Sequence, residues 1–203
     1  MKRREPNKEM VMIKREYRCF FEGLQEEMYF EHIAKKIREI KPESSVKFRQ
    51  VSKLSTLDKS STNVLKLAVF DYDLNKIEFE KRVKMCKETR ILYSNLNFDL
   101  WLLLHKRQFR KNVQSNNAYV SLIREEYGLS SDTNIKTKNN IQKISNQINL
   151  EDVKNAIKNA DEIMNEKLKK DEIYVNNSFS YYANPSMSID KFFKDLLKDL
   201  DIN

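Results

Sequence analysis

Glycine and proline are scarce, two and three residues respectively in a chain of 203. That excludes collagen-like and elastic repeats, and also glycine-rich phosphate loops of the Walker A or GxGxxG kind, which need glycines clustered where backbone closes on phosphate. Cysteine is almost as rare. Cys19 and Cys86 each lie in an apolar stretch with neither CxxC spacing nor a neighbouring histidine, so two reduced core thiols are expected, not a zinc site or a disulfide scaffold. No apolar run approaches the roughly 18 residues of a membrane span. The charged segment Met1–Lys8 is not followed by the apolar core of a signal peptide, so no membrane association is expected and a cytoplasmic location is.

What the chain does contain is globular. Hydrophobic residues make up 40% and aromatics 10%, enough apolar surface for one ordinary core at this length. Lys and Arg number 38 against 30 Asp and Glu, a formal charge of +8. The excess fits a nucleic-acid partner, because cation contacts to phosphate drive such binding; it fits a generally lysine-rich composition equally well.

Periodicity gives an α/β order. Tyr17–Phe21 is a short apolar run ending at Glu22-Gly23, after which Phe30, Ile33, Ala34, Ile37 and Ile40 fall on one helical face ahead of Pro42. Val46–Val51 is a second candidate strand, followed by a Ser/Thr/Lys loop from Ser52 to Asn63. Val64–Phe70 is the best buried strand, closed by Asp71-Tyr72-Asp73, and the next helix turns Phe79, Val83 and Cys86 inward. Arg90–Tyr93 reads as a further strand. Strands alternating with helices imply crossovers and a mostly parallel central sheet flanked by helices.

Beyond that lie a nearly all-apolar helix at Phe98–Phe109, a short helix at Tyr119–Tyr127 closed by Gly128, and a polar stretch at Ser130–Asn149 with few anchors. Asn149 is placed to cap a helix carrying Leu150, Val153, Ile157, Ala160, Met164 and Leu168, with Glu151 and Asp152 in its first turn. An amphipathic helix at Ile189–Leu200 follows the Asn184-Pro185 break. The expected organisation is an α/β core over residues 1–110 and a helical C-terminal extension over 111–203 packed on the same domain.

Ligands of open parallel sheets gather beyond the carboxyl ends of the strands. Glu22 stands at one such end, and Asp71 and Asp73 at another; Gly23 allows a sharp exit from the first strand. Two aspartates at i and i+2 with a glutamate from a neighbouring strand form an oxygen-rich set suited to Mg²⁺, with Mn²⁺ as a substitute. Such a centre polarises a phosphodiester. The plain alternative is that all three are solvated acids at loop starts.

These residues also carry a resemblance. The runs CysPhePheGluGlyLeuGlnGluGluMetTyrPhe (19 to 30), ValPheAspTyrAsp (69 to 73), SerAsnLeuAsnPheAspLeuTrpLeuLeuLeuHis (94 to 105) and AlaAsnProSer (183 to 186) are similar to the successive motifs of the RloB/AbiLii family. The resemblance covers most of the chain. It implies a Toprim-like fold, a metal-dependent nuclease acting in bacterial abortive-infection defence, and a partner ATPase of the RloA/AbiLi kind.

By that resemblance Glu22 takes the place of the Toprim general acid or base, and Asp71 and Asp73 that of the metal-binding DxD. Glu27 takes the second glutamate of the first helix, with spacing about one residue short. Leu96 replaces the family's usual proline, and Asp99 its usual glutamate, which shortens that carboxylate's reach. Asn95 reads either as a substrate or metal-shell amide or as a cap of the next helix. His105, on the stripe Phe98, Trp101, Leu102, reads either as a phosphate contact or proton shuttle or as a hydrogen-bonded core residue. Lys136 and Lys138 are candidate phosphate contacts in a chain where most lysines are solvated.

Two other functions compete with the nuclease. Asp71 could be the nucleophile of a haloacid-dehalogenase-like phosphatase, although an acid-ended strand precedes it and Asn75 stands where that motif has Thr or Val. A non-catalytic subunit binding nucleic acid or the ATPase is the other, motivated by the altered 94–99 block and by the amphipathic C-terminal helix.

Overall fold

The computed structural model describes residues 13–58, 64–73, 75–113, 115–169, 173–176, 179–182 and 185–202. The lead-in Met1–Lys8, positions 59–63 of the Ser/Thr loop, and Ala183 and Asn184 of the AlaAsnProSer motif lie outside them.

Four strands, β1 (Ile13–Phe21), β2 (Ser44–Gln50), β3 (Leu65–Tyr72) and β4 (Arg90–Asn95), form one all-parallel sheet in the order β2-β1-β3-β4. Interior β3 buries residues on both faces, Leu67 and Val69 toward one and Ala68, Phe70 and Tyr72 toward the other, which is why its sequence is apolar almost without interruption. The helix α1 (Leu24–Ile40) links β1 to β2, and α3 (Lys76–Met85) links β3 to β4 in the opposite direction along the sheet. The chain therefore reverses its winding between β1 and β3.

Each face has its own core. Phe30, Ile33 and Ile37 of α1 pack on the first face with α4 (Asp99–Leu104), α7 (Leu150–Lys169) and α8 (Ile189–Asp199), where Trp101 stacks on Phe193 at 5.7 Å between ring centres. Phe79 and Val83 of α3 pack on the second with Leu54 and Leu57 of the short α2 (Leu54–Asp58) and Tyr181. The C-terminal helices thus share the sheet's larger core. Cys19 and Cys86 are buried and not joined in a disulfide.

Several boundaries differ from expectation, each for a local reason. Residues 52–63, read as loop, contain α2. The apolar helix at 98–109 is only α4: the carbonyls of Leu102 and Leu104 accept from Tyr127 Oη and Asn159 Nδ2, both at 2.8 Å, so its last turn is satisfied from outside. The polar stretch 130–149 holds α6 (Lys138–Asn146), anchored by Ile141 and Ile144; α5 (Asn116–Glu126) precedes it and ends near Gly128 at φ 63°. A hairpin, β5 (Ile173–Asn176) with β6 (Phe179–Tyr182), was not anticipated. The stripes of α1 and α7 stop a turn early, leaving Ile40 and Leu168 exposed. At the start of α7, Asn149 and Asp152 cap each other reciprocally, N–H to side-chain oxygen, at 2.9 Å both ways.

Candidate functional site

The reversal between β1 and β3 opens a crevice at the carboxyl ends of the two strands, the usual ligand position in such sheets. Glu22 is the first residue beyond β1. Its N–H donates to Val69 O at 3.1 Å, and its Oε2 accepts from the Asp71 N–H at 3.0 Å and from Arg82 Nη1 at 2.8 Å. One carboxylate thus ties together the ends of both central strands and α3. Gly23 is extended, φ −138°, a conformation open to any residue, so a sharp exit is not what selects glycine. A Cβ there would lie 2.8 Å from Glu26 Oε2; the missing side chain is what lets Glu26 fold back over the crevice.

Glu26 is buried, and its Oε2 has no hydrogen-bond partner. Burial raises its pKa, as do Glu22 and Asp99, against Lys136. Asp71 lies at the centre. Burial, then the charges of Glu26, Glu22 and Asp73, hold its carboxyl well above the usual range, with Lys136 opposing. Asp73 is more open; desolvation and Glu22 raise it, while Arg82 and a hydrogen bond with Asn116 work the other way. Asp71 thus stands within the repulsion of three other carboxylates, and with Glu22, Gly23, Glu26 and Lys136 it lines a cleft of about 290 Å³, Asp73 lying beside it.

Among the described residues no three His, Cys, Asp or Glu side chains already converge as a metal cage. The residues nonetheless fit Mg²⁺: the donors are hard oxygens, one is orphaned, and the repulsion that raises Asp71 is what a divalent cation would relieve. Mg²⁺ commonly keeps several waters and takes only one or two carboxylates. Asp71 and Asp73 would hold it, with Glu22 and Glu26 beside them.

Lys136, from the stretch after α5, reaches this site from the far side. Its Nζ donates to Gln25 Oε1 at 2.5 Å and to Asp99 Oδ1 at 3.1 Å. Asp99 is fully buried at the start of α4, and its Oδ2 is unpartnered. Asp99 therefore lines the wall behind Lys136, away from the cleft. Glu27 faces elsewhere on α1: its charge environment is Glu31 and Lys138, and the Gln50 side-chain amide, turned with its nitrogen toward Glu27 as the two acceptor oxygens require, would donate to them at 2.8 and 3.1 Å. Glu27 and Lys138 thus form a neighbouring pair outside the four-carboxylate group.

Two other candidates are built into the core. Asn95 is fully buried; its Nδ2 donates to Tyr182 O at 2.9 Å and Ser186 Oγ at 3.0 Å, and its Oδ1 accepts from Leu96 N–H at 3.1 Å. It neither faces the cleft nor caps α4, near which Asn97 Oδ1 instead accepts from Asp99 N–H. The bond to Leu96 holds a leucine at φ 59°, which the proline of the resembled pattern could not adopt. His105 bonds Tyr29 Oη at 2.9 Å and Trp101 O at 2.8 Å inside the first-face core, and burial lowers its pKa to about 4. Its setting is that of a neutral core histidine.

Sequence reasoning missed Glu26, Gln25 and Arg82. Glu26 had a readable signal, since it lies one turn before Tyr29, Phe30 and Ile33 on the inward stripe. Arg82 had none, because its role depends on how α3 crosses the end of β1. At Asn75, the position at odds with a phosphatase motif, the side chain caps α3 by accepting from Glu78 N–H at 3.2 Å.

No curated protein and no solved structure matches the chain significantly. A family profile described as RloB-like protein matches residues 19–196. The chain belongs to that family, which is associated with defence systems.

Proposed function

We propose that this RloB-like protein is a Mg²⁺-dependent nuclease of Toprim type, cleaving phosphodiesters in DNA or RNA as an effector of antiphage abortive infection alongside a partner ATPase. The observation that carries the reading is the group Glu22, Glu26, Asp71 and Asp73, held in mutual repulsion at the β1–β3 crevice. Keeping four acids together costs stability, and a cation-dependent chemistry gives that cost a purpose. The defence role and the ATPase rest on the family alone.

In this reading Asp71 and Asp73 would hold Mg²⁺ through their carboxylate oxygens, and the ion when bound would supply Lewis-acid polarisation of the phosphodiester. Glu22, fixed at Oε2 by the Asp71 N–H and Arg82, takes or returns a proton at Oε1, and Arg82 beside it neutralises charge developing on the phosphoryl oxygens. Lys136, oriented by Gln25 and Asp99, closes the opposite side of the cleft.

One observation favours the non-catalytic alternative. Glu22 is already neutralised by Arg82 at 2.8 Å, which suits a structural brace as well as a proton carrier. Calorimetric titration of Mg²⁺ and Mn²⁺ into wild type and Asp71→Asn, followed by cleavage assays on DNA and RNA with and without the ATPase, separates the two. Binding and cleavage that Asp71→Asn abolishes establish the nuclease. Metal binding without turnover on any substrate, ATPase included, favours the regulatory subunit.

A further inference from the structure

A second concave surface flanks α1 on the side away from Asp71. It is a groove of about 600 Å³ between α1, β2 and α6. Its rims carry Lys35, Arg38, Lys47 and Arg49, and Glu31 is the one carboxylate in its wall. His32, whose Nε2 lies 2.8 Å from Ile148 O, has its pKa lowered by burial and adds no charge at neutral pH. Arg38 donates to Val46 O at 3.0 Å, and Arg49 pairs with Glu16 at 2.6 Å. Lys35 and Lys47 are exposed and the least engaged: Lys35 comes no nearer than 4.0 Å to Glu39, which Lys36 already holds at 2.8 Å.

Geometry connects this groove to the acidic cleft. From Met28 to Arg38 it follows α1 for about 15 Å, and its upper end lies about 3 Å along the helix axis from Glu26. At that end Gln50 is in register with Cys19, three residues before Glu22. Four cationic side chains against one carboxylate in the groove's wall complement a phosphate backbone. Its floor, from Ala34, Val46 and Phe48, offers no exposed aromatic face on which a base could stack, so binding here would be through phosphates and indifferent to sequence.

We infer that the α1–β2–α6 groove is the track for a single-stranded nucleic-acid backbone leading to or from the carboxylate cleft, an inference that rests on the nuclease reading. A second basic pocket, holding Lys84, Lys87, Arg90 and Lys191 at the far end of β4, provides a matched control. The test uses full-length Asp71→Asn protein in EDTA, so that neither metal nor cleavage enters, and measures fluorescence anisotropy of a labelled single-stranded oligonucleotide against salt.

Adding Lys35→Glu and Lys47→Glu is expected to weaken binding at least ~10-fold and to flatten the log–log salt slope by roughly 1.4, for two lost phosphate contacts. Lys84→Glu with Lys87→Glu makes the same change in net charge and is expected to cost less than about 3-fold by general screening alone. Thermal melts confirm that both pairs fold. Equal losses in the two pairs, or no loss in the groove pair, overturn the groove, as does a background protein that binds no single strand. The nuclease reading is judged separately by the metal titration, and a groove that binds strands in a protein that takes no metal and cuts nothing would leave the groove standing while that reading fell.

Discussion

Two polar clusters sit along the same carboxyl edge of the sheet, and they are built on opposite principles. At the end of β4, Asn95 is closed on every side by Tyr182 O, Ser186 Oγ and Leu96 N–H, and Tyr93 N–H and Ile91 O are bonded by Ser188 Oγ. At the ends of β1 and β3, four carboxylates face one another with an orphaned oxygen among them. A buried polar group that is fully bonded rigidifies a fold, whereas acids held against their own repulsion store a preference for something absent. The first cluster pins the C-terminal segment to the sheet; the second is the candidate site.

The strongest way to break this contrast is Asn95→Ala. It removes the bonds to Tyr182 O and Ser186 Oγ, which still bond each other at 2.8 Å, strands the Leu96 N–H and removes the contact that holds Leu96 at positive φ. At about 1–3 kcal/mol for the one buried orphan and roughly 1 kcal/mol for each of the other two bonds lost, a loss of about 3 kcal/mol or more of stability is expected in denaturant melts, with metal binding by the residual folded protein unchanged. A loss below about 1 kcal/mol would mean that the network is not closed in the sense described.

Asp190 asks whether a buried acid alone marks a site. It is fully buried at the start of α8, and burial raises its pKa from 3.8 to about 6. A raised acid disfavours its charged form in the fold, so its cost is absent below the unfolded pKa, grows between pH 4 and 6, and is complete above. Two pKa units correspond to about 3 kcal/mol, the upper bound for the stabilisation by Asp190→Asn at pH 8. Little change is expected at pH 4. A pH-independent effect would show that the amide acts through packing and not through charge.

Lys136→Met probes the wall between the clusters. It strands the buried Asp99 carboxylate, and because Lys136 is itself half exposed the loss is set at about 2 kcal/mol, below the usual range for a fully buried pair. Adding Asp99→Asn should recover most of it in chemical melts. If the double variant is no better than the single, Lys136 stabilises chiefly through Gln25.

Much of this architecture was legible in the chain. The apolar run of β3, its two-aspartate ending and the change of period at Glu22-Gly23 placed three of the four acids on the correct edge, because strand ends and helix starts are marked locally. Adjacent Glu26 and Glu27 differ only in helical phase, and the family pattern drew attention to the wrong one of the pair for the cleft. Asn95 and His105 illustrate the opposite difficulty. Both are chemically capable residues in a distinctive motif, yet their partners, Tyr182, Ser186 and Tyr29, come from 76 to 91 positions away, and only the assembled fold shows those partners consuming their hydrogen bonds. The hairpin β5–β6 and α6 were hidden by dilution, with few apolar residues among many Asn, Ser and Lys.

The smallest expected effect is the most discriminating. Asp71→Asn removes one charge from the centre of the repelling group while keeping its shape, so in metal-free protein at pH 8 it should raise Tm by roughly 2–4 °C, the shift that about 1 kcal/mol produces in a chain of this size. The gain should vanish as pH falls through the ordinary carboxylate range, where Asp71 is protonated in both folded and unfolded chains and carries no charge to relieve. Addition of Mg²⁺ should then invert the order, stabilising wild type by mass action and leaving the variant unmoved. A functional acid is recognised by that exchange of stability for binding. If Asp71→Asn lowers Tm without metal, the carboxylate is bonded into the fold as Asn95 is, and the two clusters are of one kind.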